Sequence, residues 1–440
     1  MIKRENAIQL FNAAVAAVHP SKLMPAHLFV QDKYLHIFDQ QFLLNELPAI
    51  YVIGAGKASA AMAKSVEDIL GDLITAGIMV TKYEHALLLN KIVCIEAAHP
   101  VPDEQGMAAT AATVALLKQV KENDIVICLI SGGASALWID LPPGATLADL
   151  QQSFELLLRS GATIEELNTI RKHLSGIKGG QLLKHAPKAN WFSFIISDVP
   201  GDDLSVIASA PTVPDNTVFE DVRRILEKYN LQHQLPTAIL QHIQQGLSGA
   251  INETAKPGDP IFNQVINTII GSNAIALKAA AAKAKELGYH IASFNSSLTG
   301  DAATVGRELV RTAKNYSGIK PACFLLGGET TVTVTGKGKG GRNQQMVLSA
   351  LLEMQSNNDE AFSNTITFLS AGTDGTDGPT DAAGAIIDNS TLDSAHTMNL
   401  NANQYVAEND AYPFFEQTGG LIKTGATQTN VMDVVVVIVE

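Results

Sequence analysis

A chain of 440 residues that is 46% hydrophobic and 17% charged has ample material for a packed core, which excludes disordered and fibrous classes. Its net charge of −13 excludes a nucleic-acid polyanion as general partner, because such proteins carry a basic face. Length suggests about three domains of ordinary size or two larger ones. The three cysteines, Cys94, Cys128 and Cys323, lie in apolar runs and read as buried strand thiols, so a reducing compartment is expected. Lys3 and Arg4 precede a segment interrupted by Glu5, Gln9 and Asn12, which suits an amphipathic helix better than a signal peptide. No segment approaches the ~20 apolar residues of a membrane span, so the expected location is cytoplasmic, with no membrane partner.

Helices over 5–18 and 40–46 flank a first strand, Ala49–Ile53, which runs into Gly54-Ala-Gly-Lys-Ala-Ser59 ahead of a helix marked by Met62, Val66 and Ile69. Gly54 and Gly56 therefore form a strand-to-helix turn, an anion site by geometry, and Lys57 is a cation at the positive end of a helix dipole. Phosphate contact explains that placement better than a surface lysine. The P-loop pattern fails, because Tyr51 and Val52 stand where its first glycine is needed. The dinucleotide fingerprint also falls short, since Ser59 replaces the third glycine. Strands Gly77–Thr81 and Ile92–Glu96 follow, the second entering a proline-rich loop in which His99 reads as a loop-stabilising residue.

A helix over 107–121 returns to Ile125–Ile130, a continuous apolar run suited to a parallel sheet covered on both faces. It ends in Ser131-Gly132-Gly133, a second turn with amides open to an anion and without the histidine and acid that a nucleophilic serine needs. The stretch from Asn168 to Gly180 mixes the basic side chains Arg171, Lys172, His173 and Lys178 with glycines; a substrate pocket and a solvated face fit equally. Strand Trp191–Ile196 delivers Asp198, an acid where α/β sheets bind ligands and hence a magnesium ligand or orienting base. Helices over 218–229 and 236–246 precede a breaker-rich connection, and the domain boundary is expected near 240.

The alternation restarts with strand Val265–Ile270, a helix over 274–287 and strand His290–Phe294. Ala322–Leu326 turns sharply at Gly327-Gly328, and Thr330–Thr335 alternates as another strand. The segment 327–345 holds six of the 34 glycines. Within it, Gly336–Gly341, with Lys337 and Lys339, reads as a flexible loop whose amides can approach an anion. Arg342 stands at the start of a helix implied by Met346, Leu348, Leu351 and Leu352, where a cation costs about 0.3–1 kcal/mol. A nucleotide phosphate nearby would account for it. Strand Thr365–Ser370 then delivers Asp374, Asp377 and Asp381; Asp374, nearest the strand end, is the metal or base candidate. A short helix over 410–417, a polar loop over 423–430 and strand Met432–Val439 close the chain.

Glycine turns at strand ends, two misplaced cations and carboxylates suited to Mg²⁺, divided between two α/β halves, predict phosphoryl transfer in an interdomain cleft. Taken together the motifs resemble the glycerate 2-kinases that join a Rossmann-like N-terminal domain to a MOFRL-type C-terminal domain. Those motifs are Gly54-Ala-Gly-Lys-Ala58, His99-Pro-Val-Pro-Asp103, Ser131-Gly-Gly-Ala-Ser-Ala-Leu137, Arg171-Lys-His-Leu-Ser175 with Lys178-Gly-Gly180, and Ser197-Asp-Val-Pro-Gly-Asp202. In the second half they are Gly327-Gly-Glu-Thr330, Gly341-Arg-Asn-Gln344, Thr373-Asp-Gly375, Asp377-Gly-Pro-Thr-Asp-Ala-Ala-Gly384 and Thr429-Asn-Val431.

The resemblance spans nearly the whole chain and implies domains of 1–240 and 241–440, the latter containing a MOFRL-type region over about 322–440. It implies ATP-dependent phosphorylation of D-glycerate, usually to 2-phosphoglycerate, with Mg²⁺, and marks Lys57 and Arg342 as catalytic. Substrate or nucleotide binding is expected of Gly54, Gly56, Ser131, Gly132, Gly133, Arg171, Lys178, Gly328, Glu329 and Asn343, and metal binding of Asp198 and Asp374. An NAD(P)H-dependent hydroxypyruvate reductase is the alternative, and the incomplete glycine fingerprint counts against it. The chain departs from the family pattern at Ala210 and Gln428, where glycine is expected, at Gln345, where glutamate is, and at Ala426, where proline is. D-Glycerate and ATP are the expected small-molecule partners, and a homodimer is compatible with the sequence.

Overall fold

The computed structural model describes residues 2–355 and 366–440, which form two compact α/β units. The first comprises Leu23–Ser197 and Asp202–Ile270; the second comprises Met1–Lys22, Asp198–Gly201 and Gly271–Glu440. In the first unit the apolar runs pair as foreseen. Six strands lie in the order Ile92–Ala97, Ile74–Lys82, Ile50–Ala55, Ile125–Ile130, Asn190–Ile196, Val265–Gly271. The central pairs are parallel, and every residue of Ile50–Ala55 and Ile125–Ile130 is buried.

The chain steps outward from Ile50–Ala55 in one direction, then returns to Ile125–Ile130 and continues in the other. That reversal opens a crevice at the carboxyl ends of the two central strands, the place where open α/β sheets take ligands. Helices Leu147–Arg159 and Ile164–His173 each begin with a capping box, Thr146 with Asp149 and Thr163 with Glu166. The second of them ends in Arg171, Lys172 and His173, and the first two are cations that suit the negative end of its dipole.

Several expectations are corrected. The boundary placed near 240 falls within helix Thr237–Leu247 of the first unit, and Val265–Gly271 is the edge strand of the first sheet rather than the opening of the second. The alternating apolar residues that look like a fresh start instead extend a sheet already built. Nor do the first 22 residues belong to the first unit: helix Ile2–Ala17 packs on Asn273–Glu286, fully burying Leu10, Phe11 and Ala14. Gln40–Leu43 is a strand in a three-stranded antiparallel sheet, not a helix; Phe38 beside it stacks on Phe194 at 4.4 Å, an anchor for the hairpin.

The second unit holds a mixed sheet in the order His290–Leu298, Ala322–Gly328, Asp433–Val439, Ile366–Gly372, Gly384–Ile387, Leu421–Ile422. Only the first pair is parallel. The last long strand thus sits in the middle, buried throughout. Thr330–Thr335 forms no ladder beyond an isolated bridge between Asp301 and Thr331, because its backbone turns to side-chain partners such as Asn409. Thr365 of the expected strand lies outside the described residues. No helix among the described residues is long and apolar enough to cross a membrane.

Candidate active site

At the crevice of the first unit the two turns interlock. Lys57 N–H donates to Gly132 O at 2.8 Å, and Ala58 N–H donates to Ser131 Oγ at 3.0 Å. Gly56 adopts φ +137°, and a Cβ there would lie 2.2 Å from Ser131 Oγ, so the approach requires glycine. Ser59 donates to Gly56 O and Val80 O, filling with a hydroxyl the place where a third glycine was sought. Gly54 packs between strands, its missing Cβ 2.1 Å from Leu129 O. Gly54, Gly56 and Ser131 therefore build the turn. Gly132 is buried, and neither its N–H nor that of Gly133 has a protein acceptor among the described residues. Such amides suit an anion.

Gly133 also lines a cleft of about 610 Å³, shared with His99, Ser135, Asp140, Arg171, Ser175 and Lys178. His99, expected only to stabilise its loop, faces this space: a Cβ on Gly133 would lie 3.0 Å from its Nε2 and 3.5 Å from Lys57 Cγ. The solvated-face reading of the basic cluster fails for Lys178, which is 5% exposed. Lys178 Nζ donates to Trp138 O; burial pushes its pKa down to about 8, with Asp140 opposing the fall and Arg171 assisting it. Arg171 lies 5.0 Å above the Phe154 ring and donates to Asn168 at 3.4 Å, while burial lowers its pKa. Lys172 and His173 turn elsewhere, to Asp215 and Glu253. Asp140, joined by a hydrogen bond to Ser175 of the Arg171–Ser175 motif, escaped sequence reasoning, as did Phe154; nothing in the local pattern of either separates it from ordinary loop and helix residues.

In the second unit Arg342 meets carboxylates. Asp433 takes Nε at 2.6 Å and Nη2 at 3.0 Å, and Glu329 takes Nη1 at 2.7 Å. Burial opposes the charge on Arg342, but the hydrogen bonds and charge of Asp433, with the charges of Glu329 and Asp377, raise its pKa. Asp377 occupies the helix N-terminus, accepting from Asn343 N–H at 3.0 Å and Gln344 N–H at 2.8 Å. These acids offset the misplaced cation, so its position does not by itself call for a nucleotide phosphate. Asn343, 1% exposed, spends its side chain on Asp377, Asp433 and Ser370. Gly328 ends its strand against Leu298. The one sequence signal for Asp433 was a lone acid opening the apolar run Val434–Val439.

The glycine-lysine loop is likewise engaged by protein. Gly336 N–H donates to Asn409 Oδ1, Gly338 N–H to Glu408 O and Lys339 N–H to Asp410 Oδ1. A Cβ on Gly341 would lie 2.3 Å from Asp377 Cγ. Here the amides of Gly336, Gly338 and Lys339 are taken by the chain itself, and the glycines admit its own backbone and side chains.

The acidic trio is dispersed: Asp377 caps the helix, Asp381 takes Tyr412 at 2.6 Å and Lys423 at 2.9 Å, and Asp374 accepts Thr376 N–H at 3.1 Å. Asp198 receives Asn430 Nδ2 at 3.5 Å, and Val431 N–H donates to Thr373 Oγ1 beside Asp374. No group of three or more His, Cys, Asp or Glu side chains among the described residues is arranged to hold a metal. Magnesium commonly takes one or two carboxylates and fills its remaining positions with water and phosphate oxygens.

Residues 6–244 match the DUF4147 family, described as a domain of unknown function, and residues 322–433 match the MOFRL family. The chain is 40% identical to the glycerate 2-kinase of Pyrococcus horikoshii, over 99% of this chain and 97% of that protein. It is 39% identical to the D-glycerate 2-kinase of Thermotoga maritima, covering 89% and 90% respectively. A crystal structure of glycerate kinase from Thermotoga maritima superposes with a TM-score of 0.85 at 35% identity, over 99% of each chain. The chain belongs to the glycerate kinase family, in which a DUF4147 domain precedes a MOFRL domain, and it is a kinase.

Proposed function

We propose that the protein transfers the γ-phosphoryl group of ATP to the 2-hydroxyl of D-glycerate. The observation that carries the reading is the paired turn of the first unit, where Lys57 and two amides without a protein acceptor among the described residues stand at the reversal of the strand order. Phosphoryl transfer asks little covalent chemistry of a protein; it asks for positioning and for charge where the transition state spreads its own. In this reading Lys57 and the amides of Gly132 and Gly133 hold phosphate oxygens. Arg342, fixed by Asp433, supplies the second cation. Asp198 and Asp374 would hold Mg²⁺, which neutralises phosphate charge when bound.

The test is phosphorus NMR of the purified protein with D-glycerate, ATP and Mg²⁺, with a parallel tube of hydroxypyruvate and NADH followed by absorbance. A 2-phosphoglycerate signal with no loss of NADH is expected, and excess EDTA should abolish it. A 3-phosphoglycerate signal would refute the regiochemistry. NADH oxidation without phosphoryl transfer would refute the reading and favour the reductase.

A further inference from the structure

The first-unit cleft carries two kinds of wall. Arg171, Lys178 and Gly133 make one; Val101, Leu150, Phe154 and Leu158 make the other, and Arg171 lying over the Phe154 ring is where the two meet. Neither cation has a carboxylate within ion-pairing distance among the described residues. Arg171 has the Asn168 amide and Lys178 the Trp138 carbonyl, while the nearby Asp140 is engaged by Ser175 Oγ and by Gly176 N–H at 2.5 Å. With Asp140 charged near Lys178, the two cations still leave this end of the cleft a net positive charge that an anion would balance.

The apolar wall says what kind of anion. Val101 and Leu158 are 61% and 60% exposed, large side chains open to water at the rim of a cavity in the size range of about 300–1,000 Å³ that accepts drug-sized ligands. A small, wholly polar acid such as glycerate would satisfy the cations and leave that wall wet. A ligand that joins an anion to a flat apolar ring satisfies both.

We infer that this cleft is the nucleoside end of the phosphoryl-donor site, with a purine ring against Leu150, Phe154 and Leu158 and phosphate oxygens on Arg171, Lys178 and the amides of Gly132 and Gly133. The inference deepens the kinase reading and rests on it. Gly133 supports it by position, because the same residue borders the cleft and abuts Lys57 at the turn. A guanidinium held over an aromatic ring is also a ready platform for a base.

Two measurements on the full-length protein test it. ADP affinity by calorimetry and the KM values for ATP and D-glycerate are compared in wild type, Phe154→Ala and Leu158→Ser; the second replaces an exposed side chain and spares the core. Each variant should weaken ADP binding and raise the KM for ATP by about tenfold, the equivalent of 1.4 kcal/mol, with the KM for D-glycerate within twofold of wild type. Photolabelling of wild type with an azido-adenine nucleotide should mark residues 147–159. A raised KM for D-glycerate with unchanged ADP affinity would give the cleft to the acceptor and overturn the inference. Unchanged affinity for both, or label confined to other segments, would overturn it too. ADP binding is read without turnover, so failure of the glycerate reaction alone would strike only the functional reading.

Discussion

Replacing Asp433 with asparagine tests whether Arg342 acts through its aim. The substitution preserves shape, and Asp433 is 3% exposed, so little else should change. Its two oxygens receive Arg342 Nε and Nη2 together with Asn343 Nδ2, all donors. An asparagine must set an NH₂ against at least one of them, whichever way its amide is turned. One charge-assisted hydrogen bond, about 1.5–3 kcal/mol, is therefore lost. The Arg342 side chain is 32% exposed and keeps Glu329, so water and that pair recover part of the loss. The lower end, about 1.5–2 kcal/mol, is the fair expectation, which corresponds to a fall in kcat of roughly 10- to 30-fold if the lost interaction serves the transition state. A coupled ADP-release assay at saturating ATP and D-glycerate reads kcat, and thermal unfolding run alongside shows whether the fold survives. In the double variant with Arg342→Met the two losses should not add, since one acts through the other. A folded Asp433→Asn variant with kcat within twofold of wild type, or full additivity, would refute the positioning role.

Asp377 gives a pH signature. Burial, reinforced by the charge of Asp433, outweighs the helix amides and Arg342 and raises its carboxyl pKa to about 6. A raised acid favours folding while protonated, so its contribution is complete below about 4 and is lost as pH rises through about 6, by roughly 3 kcal/mol in all. Denaturant midpoints of wild type relative to Asp377→Asn should accordingly decline between pH 4 and 7; a flat difference would show that burial does not govern this group. Lys178 titrates near 8, so phosphate-ligand affinity should weaken above that pH in wild type, and Lys178→Met should bind weakly with no such step. Ala210 holds φ 57° and ψ 58°, a left-handed conformation that disfavours a Cβ by about 1–2 kcal/mol, offset in part by the greater unfolded-state entropy of glycine. Ala210→Gly should therefore raise the unfolding free energy by up to about 1 kcal/mol, and a destabilised variant would contradict that strain argument.

How much of this was legible depends on whether a residue's meaning is local. Strand-to-helix turns are local: an apolar run that breaks into glycine ahead of a helical period can be read from a short window, and Gly54–Ser59 and Ser131–Ala136 emerge where they were placed. Strand order is not local. Ile50–Ala55 and Ile125–Ile130 become neighbours only because the chain reverses direction after Ile92–Ala97, and that reversal makes one site of two turns. The departures from the family pattern became intelligible the same way. Ala210 and Gln428, both expected to be glycine, occupy left-handed φ, and Gln345 donates its amide to Val406 O, which a glutamate could not do.

Glycine-rich segments are where local reading divides. A glycine shows that something approaches the backbone closely, but not what. At Gly56 the neighbour is Ser131 of the adjoining turn, and nearby amides are left for a ligand; at Gly336 and Gly338 the neighbours are Glu408 and Asp410, and those two amides are taken. Composition made the second loop the more conspicuous candidate, with two lysines and four glycines in six residues. What separates the cases is the count of donors against acceptors once the chain is folded. The same count applied to charge reverses the argument for Arg342. Its position at a helix N-terminus looked like a call for an outside anion, yet Asp433 supplies that charge from a strand 91 residues away. A cation ion-paired to its own carboxylate is aimed, whereas Arg171 and Lys178, which have no ion pair among the described residues and only the charge of Asp140 near Lys178, are left open to an anion from outside the chain.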